Sequence, residues 1–109
     1  MEKVKRYQKI IVEFLRASAA TNLQGMEDQV LLDYENNQFQ LLTVGWNQGK
    51  FLHLTLFHLQ IKADGKIWIL ANNPDTRLSD ELVSRGVSPS DLVIGFQQFS
   101  STERELATA

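Results

Sequence analysis

Two histidines are the residues of this chain best suited to metal binding or proton transfer at neutral pH. His53 and His58 are the only histidines, and the chain contains no cysteine. Along a regular strand their spacing places the two imidazoles on opposite faces, so they share a metal only if a bulge intervenes. The absence of cysteine removes thiolate zinc sites, iron–sulfur clusters and thiol nucleophiles. The sequence therefore predicts neither a metal nor a cofactor.

The carboxylates do not form the facing pairs that acid–base catalysis requires. Asp28 and Asp33 do not share a face at their spacing, and neither do Asp80 and Glu81. The glycines occur singly, which excludes a phosphate-binding loop, and no serine lies in a nucleophile elbow. We interpret the chain as a protein without catalytic residues, and an unrecognised metal-dependent enzyme is the alternative.

The charge balance argues against strong direct binding to nucleic acid. The formal net charge is −2, whereas nucleic-acid binders usually carry a basic surplus that displaces counterions from phosphates. A local basic group near the start, formed by Lys3, Lys5, Arg6 and Lys9, is typical of a solvated helical face. A DNA-binding regulator that uses this group is a second alternative.

Composition and length predict one domain over residues 1–109. Hydrophobic residues make up 43% of the chain, enough for one continuous core. No stretch approaches the roughly 20 apolar residues that span a bilayer, and the charged N-terminus is unlike a secretory signal. A cytoplasmic protein that is not embedded in a membrane is expected.

Hydrophobic periodicity predicts a helix followed by an antiparallel meander. The helical period runs from Glu2 to about Ala19, and a period of two begins near Glu27. Turn signals at Asn36-Asn37, Asn47-Gln48-Gly49 and Asp64-Gly65 separate the strands. The predicted strands are Glu27 to Tyr34, Phe39 to Trp46, Phe51 to Lys62 and Lys66 to Leu70.

The remainder of the chain predicts a short helix, a capped turn and a fifth strand. Asp75 or Thr76 is the expected helix cap, Gly86 the stop, and Leu78, Leu82 and Val83 the inward residues. Ser88 is expected to cap a single turn in which Asp91 reaches back, and Leu92 to Gln97 forms the fifth strand. The fold class is therefore α+β.

The third strand is unusual because it is apolar on both faces. In a regular strand one face carries Leu52, Leu54 and Leu56, and the other carries Phe51, Phe57, Leu59 and Ile61. Such a strand is normally central, bulged or covered by another subunit. We predict a homodimer and assign Phe51, Phe57 and Leu59 to its face.

Several segments resemble the XisI-like family of excision controlling factors. His58-Leu59-Gln60-Ile61-Lys62 and Asp64-Gly65-Lys66-Ile67-Trp68-Ile69 are similar to the family pattern H-x-D-I-x-D-G-K-I-W-I, with Gln60 replacing the aspartate and Ala63 inserted. The run from Glu81 to Phe96 is similar to E-L-V-x-x-G-I-P-K-x-D-I-V-L-G-F. A Tyr7-x-x-Ile10-Ile11 helix and a Leu42-x-Val44-Gly45-Trp46 strand extend the resemblance over nearly the whole chain.

The resemblance implies an accessory role in programmed DNA rearrangement. The family is named for controlling excision of an element that interrupts the fdxN gene in cyanobacteria, beside a recombinase and a XisH-like protein partner. The tail departs from the family pattern, because Gln97-Gln98-Phe99 replaces the usual His-Pro that follows Gly-Phe. The resemblance implies that the tail residues Phe99, Arg104 and Glu105 are candidate contacts with the partner.

Overall fold

An amphipathic helix and a five-stranded sheet form two layers in the computed structural model, which describes residues 2–19, 25–73 and 76–95. Helix α1 spans Glu2–Ser18 and buries residues spaced three or four apart, including Tyr7, Ile11 and Leu15. This spacing is the predicted apolar stripe. No helix of the described segments combines the length and hydropathy that crossing a bilayer requires.

The sheet has five strands, which lie in chain order: β1 (Met26–Asp33), β2 (Gln38–Asn47), β3 (Lys50–Ile61), β4 (Ile67–Asn72) and β5 (Leu92–Ile94). Neighbours from β1 to β4 are antiparallel, as the turn signals predict, and β5 is parallel to β4. A parallel neighbour needs a crossover connection, which here contains helix α2 (Leu78–Ser84) and a 3₁₀ turn. The α+β prediction is confirmed.

Strand β4 is displaced from its predicted position, and β5 is shorter than predicted. Strand β4 begins at Ile67 instead of Lys66, and it continues past Leu70 to Asn72 because its pairing with β3 persists beyond a bulge. Strand β5 ends at Ile94. Gly95 follows it as a turn residue, and the rest of the predicted continuation, Phe96 and Gln97, lies outside the described residues.

Both helices contribute to one hydrophobic cluster on the same face of the sheet. Helix α2 spans Leu78–Ser84, and its buried residues Leu78 and Leu82 belong to the cluster that α1 covers. The strands contribute Phe39, Leu41, Phe57, Leu59, Ile61, Ile67 and Ile69, which the strand register places on one face. We call this the helix face and the reverse side the open face.

A bulge in β3 changes which residues lie on the helix face. Leu41 pairs with Phe57 and Leu42 with Thr55, so Leu56 is an extra residue on β3. An extra residue resets the alternation of side chains between the two faces of a strand. As a result Phe57 lies on the helix face, whereas Phe51 lies on the open face beside Trp46. The strand is therefore both central and bulged, two of the alternatives expected for it, and the faces assigned for a regular strand do not continue past the bulge.

Helix α2 is shorter than predicted and differs at its N-terminus. It contains seven residues, and its N-cap position is Arg77 without a side-chain cap, so Thr76 does not cap it. Asp75 lies outside the described residues. Val83 is 38% exposed and does not point inward, because it follows Leu82 by about 100° around the helix. Gly86 has a positive φ of 116° and ends the helix as predicted.

A hydroxyl group on α1 connects the helix to the 3₁₀ turn Pro89–Asp91. The buried Tyr7 hydroxyl donates to Asp91 Oδ2 at 2.6 Å and accepts from the Ser88 backbone N–H at 3.2 Å. Lys3 Nζ lies 3.1 Å from the same carboxylate oxygen. Ser88 occupies the predicted cap position but makes no side-chain cap bond. Asp91 was predicted to reach back toward Ser88. In the structure the Tyr7 hydroxyl lies between them, because it donates to the Asp91 carboxylate and accepts from the Ser88 backbone N–H.

The Tyr7–Asp91 bond predicts a defined loss of stability in acid. The hydrogen bond from Tyr7, reinforced by Lys3, lowers the pKa of Asp91 below its ordinary value. A carboxylate with a lowered pKa in the folded state stabilises the fold above the unfolded pKa, about 4, and this contribution disappears as the pH falls through the folded pKa. We expect Tyr7→Phe to reduce the free energy of unfolding by about 1.5–3 kcal/mol at pH 7. Urea unfolding at pH 7 and pH 3 should show the difference from wild type shrinking in acid.

A matched control is Tyr34→Phe, because Tyr34 is an exposed tyrosine in the turn after β1. That change should move the free energy of unfolding by less than about 0.5 kcal/mol at either pH. An equal difference between Tyr7→Phe and wild type at both pH values would contradict the assigned role of the Tyr7–Asp91 bond.

Candidate interaction surfaces

The two histidines lie on the same face of the sheet, which their spacing allows only in a bulged strand. His53 pairs with Val44 and His58 with Gln40, and both partners lie on the open face. The bulge at Leu56 supplies the intervening residue that a shared face requires. The two positions are nevertheless about 13 Å apart along the strand, too far for a shared metal ion. Within residues 2–19, 25–73 and 76–95, no group of three or more His, Cys, Asp or Glu side chains could hold a metal.

His58 is instead held by a neighbouring amide. Its Nε2 lies 2.8 Å from Gln38 Oε1, and partial burial lowers the pKa of the imidazole. A lowered pKa favours the neutral ring, which can donate from one nitrogen to the Gln38 oxygen. This arrangement explains His58 as a polar member of the sheet surface.

The basic group at the start of α1 is partly used inside the molecule. Lys3 pairs with Asp91, and Arg6 Nη1 donates to the Gly86 carbonyl oxygen at 2.9 Å. Lys5 and Lys9 are exposed to solvent. Two of the four basic side chains therefore hold the helix against the rest of the fold, which leaves a smaller basic surface than the sequence indicates.

The open face combines amides with apolar side chains and has few charges. The register places four glutamines on it: Gln29, Gln38, Gln40 and Gln60. It also carries Leu31, Leu42, Val44, Trp46, Phe51 and Trp68. Trp46 is 61% exposed, and its ring meets that of Phe51 edge to face with centroids 5.5 Å apart. An exposed aromatic pair of this kind is typical of a protein interface.

The predicted dimer face is divided between the two sides of the sheet. Phe57 is 3% exposed and Leu59 is fully buried, and both belong to the cluster beneath α1. Their assignment to a dimer face was therefore wrong, because the bulge turns them toward the helix. Phe51 is 55% exposed on the open face, and its role in a dimer stays a prediction. The sequence pattern that could have predicted this face is the alternation of the apolar residues Leu42, Val44 and Trp46 along β2.

A groove lies between α2 and β5 at the opposite edge of the sheet from β1. It encloses about 510 Å³ and includes apolar side chains from Val83, Leu92 and Ile94. Asp80 and the hydroxyl-bearing residues Ser79 and Ser84 form polar parts of its wall. Gly95, the last described residue, follows directly after this groove. The candidate contacts Phe99, Arg104 and Glu105 lie farther along the chain, outside the described residues.

Comparison with known proteins identifies similar chains. A family profile described as XisI protein matches residues 1–107. The crystal structure of a XisI-like protein from Anabaena variabilis ATCC 29413 is 35% identical with a TM-score of 0.81, covering 87% of this chain and 88% of that chain. The structure of the fdxN element excision controlling factor XisI from the same organism is 25% identical with a TM-score of 0.74, covering 88% of each chain. None of the curated proteins matches this sequence.

Proposed function

This chain belongs to the XisI protein family, and from that premise we propose that it is an accessory factor that controls excision of an fdxN-type DNA element. It acts by binding another protein and does not itself cut DNA. One solved protein of similar fold carries the name of an excision controlling factor, which supports this role. We further propose that the factor is a cytoplasmic homodimer and that its partner is a XisH-like protein.

The groove between α2 and β5 is the observation on which the partner-binding proposal depends. Val83 is well exposed although it is apolar, and it lies beside the half-buried Leu92 and Ile94. A partner that inserts an apolar side chain here would remove these three from water. Burying one such side chain fully contributes about 1.5–3 kcal/mol. Gly95, the last described residue, directly follows Ile94 of this groove, and we propose that the sequence beyond it, which includes Phe99, Arg104 and Glu105, extends the same contact.

Replacing Val83 should separate partner binding from folding. We expect Val83→Asp to weaken binding to a XisH-like protein at least tenfold, because a carboxylate introduced into an apolar contact must be desolvated. Co-expression of the two proteins followed by size-exclusion chromatography and titration calorimetry measures this effect. A wild-type chain that never co-elutes with a XisH-like protein would contradict the proposal.

The matched control is Leu54→Asp, because Leu54 is also an exposed apolar residue but lies on β3 away from the groove. Its affinity for the partner should stay within about twofold of wild type. Equal weakening by both substitutions would show that a negative charge anywhere on the surface disturbs binding.

A further variant, Arg104→Glu, tests the tail and should weaken binding if the tail touches the partner.

A further inference from the structure

We infer that a second copy of this chain packs on the open face, so that the two sheets lie against each other around a twofold axis parallel to strand β3. This inference rests on the homodimer of the proposed function and specifies its surface and geometry. Both helices lie on the other side of the sheet, and the open face exposes Trp46, Phe51 and Leu31. Antiparallel sheets commonly leave one face to solvent, but that face is then usually polar.

The chemistry of the open face is complementary to itself. An amide group carries both donors and an acceptor, so glutamines can pair with glutamines across a twofold axis. Gln38, Gln40 and Gln60 form one end of the face, and the Trp46–Phe51 pair forms the other end. A twofold axis along the strands keeps positions along the strand direction unchanged. On the axis, Gln60 then meets Gln60 and Phe51 meets Phe51 of the second copy, and Gln38 of β2 lies opposite Trp68 of β4.

The charges at the edges of the face select this axis over its alternative. Glu27 and Asp33 lie on the open face of the edge strand β1. An axis parallel to β3 carries the β1 edge of one copy over the β5 edge of the other, which keeps the β1 carboxylates of the two copies apart. An axis perpendicular to the strands would place the β1 carboxylates against each other.

The size of the face is sufficient for a stable contact. Strand β2 has ten residues and the sheet has five strands, which gives a face of roughly 30 Å by 20 Å at its widest. Interfaces of standard size bury about 800 Å² of accessible surface on each partner, which a corrugated face of these dimensions can provide. Two aligned sheets pack about 10 Å apart.

Adjacent residues of β3 provide a direct test of this geometry. The natural chain has no cysteine, so a single introduced cysteine reports one position. Thr55 is exposed on the open face near the proposed axis, whereas its neighbour Leu54 is exposed on the opposite face. We expect Thr55→Cys to give a covalent dimer in high yield with a bismaleimide that spans about 10 Å, the expected sheet separation. Leu54→Cys should give less than a tenth of that yield.

Analytical ultracentrifugation of the wild type and of Phe51→Glu completes the experiment. The wild type should sediment at twice the monomer mass, and Phe51→Glu should raise the dimer dissociation constant at least a hundredfold. A monomeric wild type would overturn the homodimer and this inference together. A wild-type dimer that crosslinks through Leu54→Cys and survives Phe51→Glu would overturn the proposed face while leaving a dimer in place. Both outcomes leave the binding of a XisH-like partner to be tested separately, because the groove that contains Val83 is not part of the open face.

Discussion

Replacing Phe57 with alanine should reduce the free energy of unfolding by about 3–5 kcal/mol, the usual effect of emptying an aromatic site in a packed core. The Phe57 ring lies on the helix face and meets the ring of Phe14 edge to face, with centroids 5.2 Å apart. Alanine would remove this contact and leave a cavity between α1 and β3. Urea unfolding followed by circular dichroism measures the change.

Phe51→Ala is the matched control because it removes the same side chain from the same strand on the opposite face. At a protein concentration where the chain is monomeric by sedimentation, it should change the free energy of unfolding by less than about 0.5 kcal/mol. The comparison tests the bulge itself, since a regular strand would place both rings on one side. Equal destabilisation by the two substitutions would contradict the described register.

Gly45→Ala should be comparably damaging, with a loss of about 3–5 kcal/mol or failure to fold. Gly45 has a φ of 147°, which residues with side chains rarely adopt, and an added Cβ would overlap the Gly25 carbonyl oxygen and lie 2.9 Å from Met26 Cα. These are backbone atoms, so relief requires moving β1 away from β2. Strand β1 also carries Val30 and Leu32, which pack against the core. Thermal unfolding and the yield of soluble protein measure the outcome.

Gly49→Ala distinguishes steric overlap from backbone strain alone. Gly49 has a φ of 79° in the β2–β3 turn, but nothing lies within 4 Å of an added Cβ. This substitution should therefore destabilise the fold by only about 1 kcal/mol, the cost of a left-handed alanine. If Gly45→Ala proved no worse than Gly49→Ala, the close approach of β1 and β2 at Gly45 would be refuted.

The two proposed surfaces lie in different parts of the molecule, so self-association and partner binding need not compete. The open face is the side of the sheet that the helices leave uncovered. The groove lies between α2 and β5, on the helix side, where Leu92 and Ile94 pack against the core. A dimer through the open face would therefore present two grooves, one from each copy. Such an assembly could hold two XisH-like molecules.

Sequence periodicity was sufficient to predict α1, the meander, the short helix and a fifth strand, whereas the parallel pairing of β5 with β4 was not predicted. These elements follow from local rules: an apolar stripe for α1, alternation for the strands, and turn residues such as Asp64-Gly65 and Asn47-Gln48-Gly49. The inward assignment of Val83 failed because Leu78 and Leu82, four residues apart, share one side of the helix, whereas Val83 lies about 100° beyond Leu82. The candidate tail contacts and the extent of the single domain stay predictions.

The sequence by itself determined the fold class, the absence of cysteine chemistry and the family resemblance, since these depend on residue type and local spacing. Only the tertiary structure decided which residues of β3 are buried and which are exposed. One extra residue, Leu56, reverses the faces beyond it, and its place as a bulge is set by pairing with β2, a partner distant along the chain. For the same reason His53 and His58 share a face, and Phe51 is exposed while Phe57 and Leu59 are buried.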